Sequence, residues 1–219
     1  QITCTITNTK RAKITVVKQT VPDGAAGSFG FDASWLGATP GADFSLVDGA
    51  SQTSAFLDPS VEYSVTELAA AGFRLTGIEC TSQNGLGNVA TSTATITPIP
   101  GEVVSCTFTN TQRGPVTIAK VAASGVERTG TTYTVSYTLT VANQSYIDEP
   151  FTLSDAPNMA SNVAIQSMVV NGPGVTDKDL GPTGGEIVAS TVPARAGQPD
   201  GPAALVYTVV VTFTMTPSN

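Results

Sequence analysis

Apolar and polar residues alternate with a period of two along most of the chain. Such alternation predicts half-buried β-strands, because successive side chains of a strand point to opposite faces of its sheet. One short helix-like stretch, "TELAAAG" from Thr66 to Gly72, interrupts this pattern. The alternating segments are Ile2-Cys4-Ile6, Ile14-Val16, Phe29-Phe31, Phe44-Leu46, Tyr63-Val65, Cys106-Phe108, Val116-Ile118, Tyr133 to Val141, Phe151-Leu153 and Leu205 to Met215.

Turn-forming sequences separate these segments at short intervals. They include "VPDGAAG", "GATPGAD", "SQNGLGN", "PIPGE", "VNGPG" and "QPDG", in which Gly, Pro, Asn and Asp supply the backbone angles that turns need. Short strands at this spacing, without a long helix, are typical of β-sandwiches. The predicted fold class is therefore all-β, with two tandem β-sandwich domains.

One segment of the sequence occurs twice. "ITCTITNTKRAKITVVK" begins at Ile2, and "SCTFTNTQRGPVTIAK" begins at Ser105, so that Cys4 aligns with Cys106 and Asn8 with Asn110. We interpret each copy as the last strand of one sandwich followed by the first strand of the next. The predicted domains are residues 11–112 and 113–219. Residues 1–10 are either the terminal strand of a preceding repeat or a donor strand for another subunit.

Composition narrows the possible functions. The net charge is −7 and only 12% of the 219 residues are charged, which excludes a basic surface for nucleic acid. The 33 Thr residues and the many Val, Gly and Pro suit strands and turns. No apolar run is long enough to span a bilayer. The absence of histidine rules out Ser-His-Asp and Cys-His catalysis, and we predict no enzymatic turnover, cofactor or metal.

The three cysteines favour an oxidising, extracellular compartment. Cys80 and Cys106 are candidates for a disulfide within the first domain. Cys4 is then left over, and its partner would lie in another domain or another molecule. The alternative is that all three are free thiols that act as small apolar residues.

Three strands of the first domain carry a polar residue in phase with their apolar face. Lys18 follows Ile14 and Val16, Glu67 follows Tyr63 and Val65, and Asn110 follows Cys106 and Phe108. A buried ammonium or carboxylate needs a partner. Either the three polar side chains are buried with partners, or each lies at a strand end and reaches water.

These residues also carry a resemblance to a known family. "KITVVKQ", "FSLVDG", "VEYSVTELAAAGF" and "VVSCTFTNT" resemble the B-type repeat of collagen-adhesin surface proteins, a prealbumin-like sandwich. The resemblance implies an intramolecular isopeptide bond from Lys18 to Asn110, assisted by Glu67. A lysine in an apolar interior has a lowered pKa and becomes a nucleophile, while a protonated Glu polarises the amide. The Cys80 and Cys106 pair is not part of that family motif.

The second domain resembles A-type conserved repeats of similar surface proteins, through "TYTVSYTLTVANQ" and "FTLSDAPNMASNV". That resemblance implies a lysine, an aspartate and a late asparagine, for which Lys120, Asp155 and Asn219 are the candidates. Asn143, on the same face as Val141, is expected to hydrogen-bond a turn backbone instead. Asp177, Asp179 and Glu186 share a loop, for which we favour solvation over calcium binding.

We therefore expect an extracellular structural module of a bacterial surface stalk, fibre or adhesin, neither embedded in a membrane nor bound to nucleic acid. Its expected partners are adjacent repeats or subunits of the same surface protein, and a host or surface ligand stays open. One alternative is a filament subunit that uses the N-terminal strand for strand complementation. The other is a ligand-binding adhesin domain, for which Trp35 would be an anchor if it lay at the surface and not in the core.

Overall fold

A computed structural model describes residues 2–37, 41–195 and 203–216. Within these ranges all the regular elements are β-strands, so the predicted all-β sandwich class is confirmed. The chain divides into two compact units, Gln1–Arg113 and Gly114–Asn219.

Nine strands build the described part of the first unit. Each is short and bounded by turns, as its alternating sequence predicts. They are β1 (Lys13–Val21), β2 (Phe29–Ala33), β3 (Phe44–Leu46), β4 (Ser51–Thr53), β5 (Tyr63–Glu67), β6 (Phe73–Cys80), β7 (Gly85–Asn88), β8 (Thr93–Ile96) and β9 (Val103–Gln112).

Two sheets enclose the core of the first unit. One has the strand order β4-β1-β9-β6, and the other has the order β3-β2-β5-β8-β7. The buried faces of both sheets supply one apolar cluster, and burial of such side chains is the main stabilising contribution in a sandwich. The cluster consists of Ile14, Val16, Phe29, Phe31, Ala33, Leu46, Leu57, Val65, Ala94, Ile96, Val104, Cys106 and Phe108.

The first and last strands of this unit are parallel neighbours at the centre of their sheet. In their register Lys18 lies opposite Phe108, and Thr20 lies opposite Asn110. Lys18 and Asn110 are therefore diagonal neighbours on one face of the sheet, within reach of long side chains. The pairing of β1 with β9 thus decides which polar groups can meet.

One local prediction for the first unit is wrong. No helix follows β5, because Glu67 N–H donates to Ser92 O and Leu68 N–H donates to Gly30 O, and these contacts hold the backbone extended. Gly72 instead occupies a turn with φ of 78°. Residues 2–11 belong to no strand among the described residues, and their assignment as the terminal strand of a preceding repeat or as a donor strand stays a prediction.

In its described ranges, 114–195 and 203–216, the second unit contains eight strands, of which two exceed ten residues. Long strands tolerate bulges, and one occurs in β14 between Ile165 and Ser167. The strands are β10 (Val116–Ala122), β11 (Glu127–Thr129), β12 (Thr132–Asn143), β13 (Glu149–Asp155), β14 (Val163–Gly172), β15 (Val175–Asp179), β16 (Gly185–Val192) and β17 (Ala203–Met215).

The sheets of the second unit differ in size. The large one has the order β10-β12-β17-β14-β15, with β11 also paired to β12, whereas β13 and β16 form a two-stranded sheet. Leu139, Met168, Ile187, Tyr207 and Val209 lie in the core between them. β10 is an edge strand, and all seven of its residues are exposed. The small sheet therefore leaves one side of the sandwich uncovered.

Candidate crosslink site

The first unit buries a lysine, a glutamate and an asparagine together. Lys18 on β1 is 0% exposed, Glu67 on β5 is 4% exposed and Asn110 on β9 is 2% exposed. Alternation places each of them on the inner face of its strand, and β5 brings Glu67 from the opposite sheet. The structure therefore places these residues in the interior and not at solvated strand ends.

The Lys18 ammonium is held by backbone and side-chain oxygens. Nζ donates to Gln19 O and to Phe108 O, both at 2.8 Å, and to Asn110 Oδ1 at 3.0 Å. It also lies 4.3 Å from the centre of the Phe29 ring, which attracts a cation through the negative face of its π system. These contacts fix the amine beside the side-chain amide of Asn110.

Glu67 contacts both of the other residues. Asn110 Nδ2 donates to Glu67 Oε1 at 2.5 Å, and Glu67 Oε2 lies 3.7 Å from Lys18 Nζ. Among the described residues Oε2 has no hydrogen-bond partner although it is buried, a situation that normally carries a desolvation cost. This oxygen is the natural position for a proton that leaves Lys18.

Burial shifts both pKa values toward the neutral forms of the pair. Desolvation lowers the pKa of Lys18 from 10.5 to about 8, although the charges of Glu67 and Asp48 oppose the shift. Desolvation also raises the pKa of Glu67, against the opposing charge of Lys18. Because the acid becomes weaker and the amine becomes less basic, transfer of the proton from Lys18 to Glu67 is favoured relative to water.

A small cavity adjoins the site on the side of Glu67 and Asn110. Its volume is about 150 Å³, and Leu68, Phe73 and Ser92 also line it. A water molecule occupies about 30 Å³ in the liquid, so the cavity has room for a molecule as small as ammonia. Asn110 Nδ2, the atom that would leave, is hydrogen-bonded to Glu67 within this lining.

A disulfide joins the last strand to its other neighbour. Cys80 on β6 and Cys106 on β9 form the bond, and the two residues lie opposite each other in the sheet register. β9 is thus tied covalently on one side, four residues before Asn110. Cys4 is a free and exposed thiol.

The second unit brings Lys120 and Asp155 together in a different environment. Lys120 Nζ lies 2.9 Å from Asp155 Oδ1, but the Lys120 side chain is 49% exposed. Tyr137 donates to Asp155 Oδ2 and places its ring 4.0 Å from Lys120 Nζ. Desolvation and the Asp155 carboxylate raise the pKa of Tyr137. Asn219 lies outside the described residues. The burial expected of a crosslinking lysine is therefore missing from Lys120.

Asn143 instead organises a buried turn. Its Nδ2 donates to Ile147 O at 2.8 Å, to Pro193 O at 2.9 Å and to Val192 O at 3.2 Å, while its Oδ1 accepts from Ser145 N–H at 2.8 Å. The predicted hydrogen bonding of Asn143 to a turn backbone is confirmed. Such a fully satisfied buried amide specifies one local structure.

Two acidic candidates, Asp177 and Asp179, form hydrogen bonds with neighbouring groups of the protein. Asp179 Oδ1 accepts from Met168 N–H and Gly181 N–H, and Asp177 pairs with Asn171. Among the described residues no group of three or more acidic, Cys or His side chains could hold a metal ion. Trp35 is partly buried and packs against the core of the first unit. None of the described segments is a helix with the length and apolarity to cross a membrane.

Sequence reasoning missed the groups that hold the Lys18 amine. The Phe29 ring and the carbonyls of Gln19 and Phe108 come from positions that carry no chemical signature in the sequence. Only the alternation that turns Phe29 inward in "SFGFDA" pointed to its burial. The parallel pairing of β1 with β9, which creates the carbonyl contact with Phe108, has no local signal.

Comparison with known proteins covers the first unit. No curated protein matches the chain at a significant level. A family model described as a prealbumin-like fold domain, SpaA_4, matches residues 14–112. The matched range contains β1 to β9 almost completely and includes Lys18, Glu67, Asn110 and both bonded cysteines. The first unit is thus similar to prealbumin-like fold domains.

Proposed function

We propose that this chain is a mechanical module of a bacterial surface stalk, fibre or adhesin, and that Lys18 and Asn110 join in an isopeptide bond. The observation that carries the proposal is the burial of Lys18, Glu67 and Asn110 in one contact cluster. The match to a prealbumin-like fold domain supports it. The module acts outside the cell, where its disulfide is stable.

The reaction is a single-turnover transfer within the folded domain. Lys18 passes a proton to Glu67 Oε2, and its neutral amine attacks Cγ of Asn110. A bond forms between Nζ and Cγ, the bond between Cγ and Nδ2 breaks, and Nδ2 leaves as ammonia. Glu67 returns its proton to this leaving nitrogen, as a general acid. Nζ gives up a second proton when the new amide forms, and this proton converts the ammonia to ammonium, so atoms and charge balance.

Protein surroundings supply most of the acceleration. With a pKa of about 8, roughly one Lys18 side chain in ten is neutral at pH 7, against about one in 3,000 at a pKa of 10.5. The contact of Nζ with Asn110 Oδ1 at 3.0 Å also removes the entropy cost of bringing amine and amide together. The cavity beside Glu67 and Asn110 receives the ammonia.

The position of the bond suits resistance to tension. Tension enters β1 at its N-terminal end and leaves β9 at its C-terminal end. Because β1 and β9 are parallel neighbours, this pull shears their hydrogen-bond ladder. With Lys18 joined to Asn110, the force crosses a covalent bond near the end of both strands. Residues 19–109 then carry no load.

The test is the intact mass of the reduced, denatured chain. We expect a mass lower than the sequence value by one ammonia, and a proteolytic peptide in which the segments around Lys18 and Asn110 are linked. Lys18→Ala and Asn110→Ala should each restore the mass of their own sequence, and Lys120→Ala should keep the deficit. A wild-type chain at its full sequence mass, after days at neutral pH, would overturn the proposal.

A further inference from the structure

The segment Ile2–Thr9 is an apolar strand sequence without a sheet. Ile2 is 94% exposed and Ile6 is 86% exposed, and Cys4 between them is a free, exposed thiol. Alternating apolar residues of this kind normally cover a core. The rest of the unit leaves them in solvent, because the described residues offer no strand that pairs with them.

The same segment repeats β9 position by position. Cys4 corresponds to Cys106, Ile6 to Phe108 and Asn8 to Asn110. Each of these β9 positions has a defined role: Cys106 is bonded to Cys80, Phe108 lies in the core, and Asn110 contacts Lys18 and Glu67. Ile2–Thr9 therefore carries the residues that a last strand uses for both crosslinks.

The sandwich of this chain has no vacancy for a second such strand. β9 lies between β1 and β6 and is paired on both edges. In a complete second copy of the chain, β9 is likewise paired on both edges, so that copy has no free position for the segment either. The acceptor must then be a sandwich that lacks its own last strand.

The connection that follows the segment indicates where that sandwich lies. In β9 the repeated sequence leads directly into β10, the first strand of the next unit, and 14 positions separate Cys106 from Lys120. In the other copy 14 positions separate Cys4 from Lys18, which belongs to β1. Both copies thus have the order of last strand, connection and first strand, which is the order within one polypeptide.

We propose that Ile2–Thr9 is the last strand of a second prealbumin-like sandwich that precedes β1 in the same polypeptide, and that Asn8 and Cys4 are its crosslinking residues. The amine of a lysine on that sandwich's first strand would form a bond to Cγ of Asn8, the bond between Cγ and Nδ2 would break, and Nδ2 would leave as ammonia. Cys4 would form a disulfide with a cysteine on the neighbouring strand, and a small-molecule disulfide would take up the two electrons and two protons. The inference rests on the proposed function.

A duplicated chain tests this assignment. Residues 12–102 are placed directly before residue 1 of the full chain, so that residues 1–9 follow them as β9 follows in the native unit. After incubation with oxidised glutathione we expect a mass deficit of two ammonia molecules and four disulfide hydrogens. Asn8→Ala should remove one ammonia loss, and Asn110→Ala should remove the other. Thiol labelling should modify Cys4 in the native chain and fail in the duplicated chain.

The outcomes separate this inference from the proposed function. A deficit of one ammonia that depends on Asn110 alone overturns the inference and leaves the proposed function intact. No deficit at all overturns the proposed function. Because Ile6 is smaller than Phe108, the duplicated chain is also made with Ile6→Phe, and failure of both versions to join Asn8 counts against the inference. Covalent dimers of the native chain that require Asn8 would show strand exchange between molecules and overturn the single-polypeptide assignment.

Discussion

Replacement of Lys18 by methionine should destabilise the first unit by about 4 kcal/mol. Met is unbranched and apolar, so it fills much of the same space while it removes both the nucleophile and the buried charge. The proposed bond from Lys18 to Asn110 would close a loop of 92 positions, and a crosslink of that span restricts the unfolded chain by about 4 to 5 kcal/mol. The expected loss of stability is the free energy of that restriction.

The disulfide changes this estimate only slightly. With Cys80 and Cys106 bonded, the shortest path from Lys18 to Asn110 falls to about 66 positions, from Lys18 to Cys80 and from Cys106 to Asn110. Loop-closure entropy depends on the logarithm of loop length, so the estimate falls by only about 0.3 kcal/mol. The two crosslinks should therefore stabilise the unit almost independently.

Urea unfolding followed by Trp fluorescence measures the effect. Trp35 is the only Trp of the chain and packs against the core of the first unit, so its emission reports on that unit alone. Lys18→Met should shift the midpoint to lower urea and steepen the transition, since the released chain exposes more surface when unfolded. Lys120→Met is the matched control and should leave the transition in place. If the wild type has lost ammonia but Lys18→Met stays within about 1 kcal/mol of it, the loop-closure argument is refuted.

Three further predictions concern neighbouring groups. In the uncrosslinked Asn110→Ala variant, Lys18 binds fewer protons in the folded than in the unfolded chain between pH 8 and 10.5. Burial of Lys18 therefore costs up to about 3 kcal/mol of stability below pH 8. Urea unfolding should show the stability of this variant rising from pH 8 to 10.5. The raised pKa of Glu67 acts in the opposite direction, since it adds stability at acidic pH that is lost as the pH rises through the folded pKa of Glu67. In pH titrations of the unfolding free energy, Glu67→Gln should abolish this loss of stability. Double replacement of Cys80 and Cys106 by serine should cost about 3 kcal/mol for a loop of 26 positions, with the ammonia deficit retained in the mass spectrum; loss of that deficit would show that the disulfide positions Asn110.

The inward faces of the first unit were readable from the sequence because period-two alternation is a local property. Lys18, Glu67 and Asn110 each continue an apolar face, and the structure buries all three. Their mutual distances were not readable, since they depend on the parallel pairing of β1 with β9 and on β5 facing them from another sheet. The family resemblance, not the alternation, supplied the idea that they meet.

The same alternation gave a wrong prediction of burial where no opposing strand covers the apolar face. Lys120 is in phase with Val116 and Ile118, which predicts burial, yet Ile118 is 58% exposed. β10 is an edge strand, and in the part of the chain that the structure describes the opposing sheet has only β13 and β16. Whether an apolar face is covered depends on strands elsewhere in the chain, which the segment itself does not specify. Ile2–Thr9 shows the same alternation and pairs with no strand among the described residues.

Threonine hydroxyls link neighbouring strands of the first unit. Thr15 with Thr53, Thr66 with Thr93 and Thr76 with Thr111 each form a hydrogen bond of 2.9 Å between Oγ1 atoms. In many proteins ion pairs occupy such positions, and dissolved salt screens them within a Debye length of about 8 Å at physiological ionic strength. Neutral hydroxyl pairs have no charge to screen. These hydroxyl links should therefore hold their strands together equally well at low and at high ionic strength.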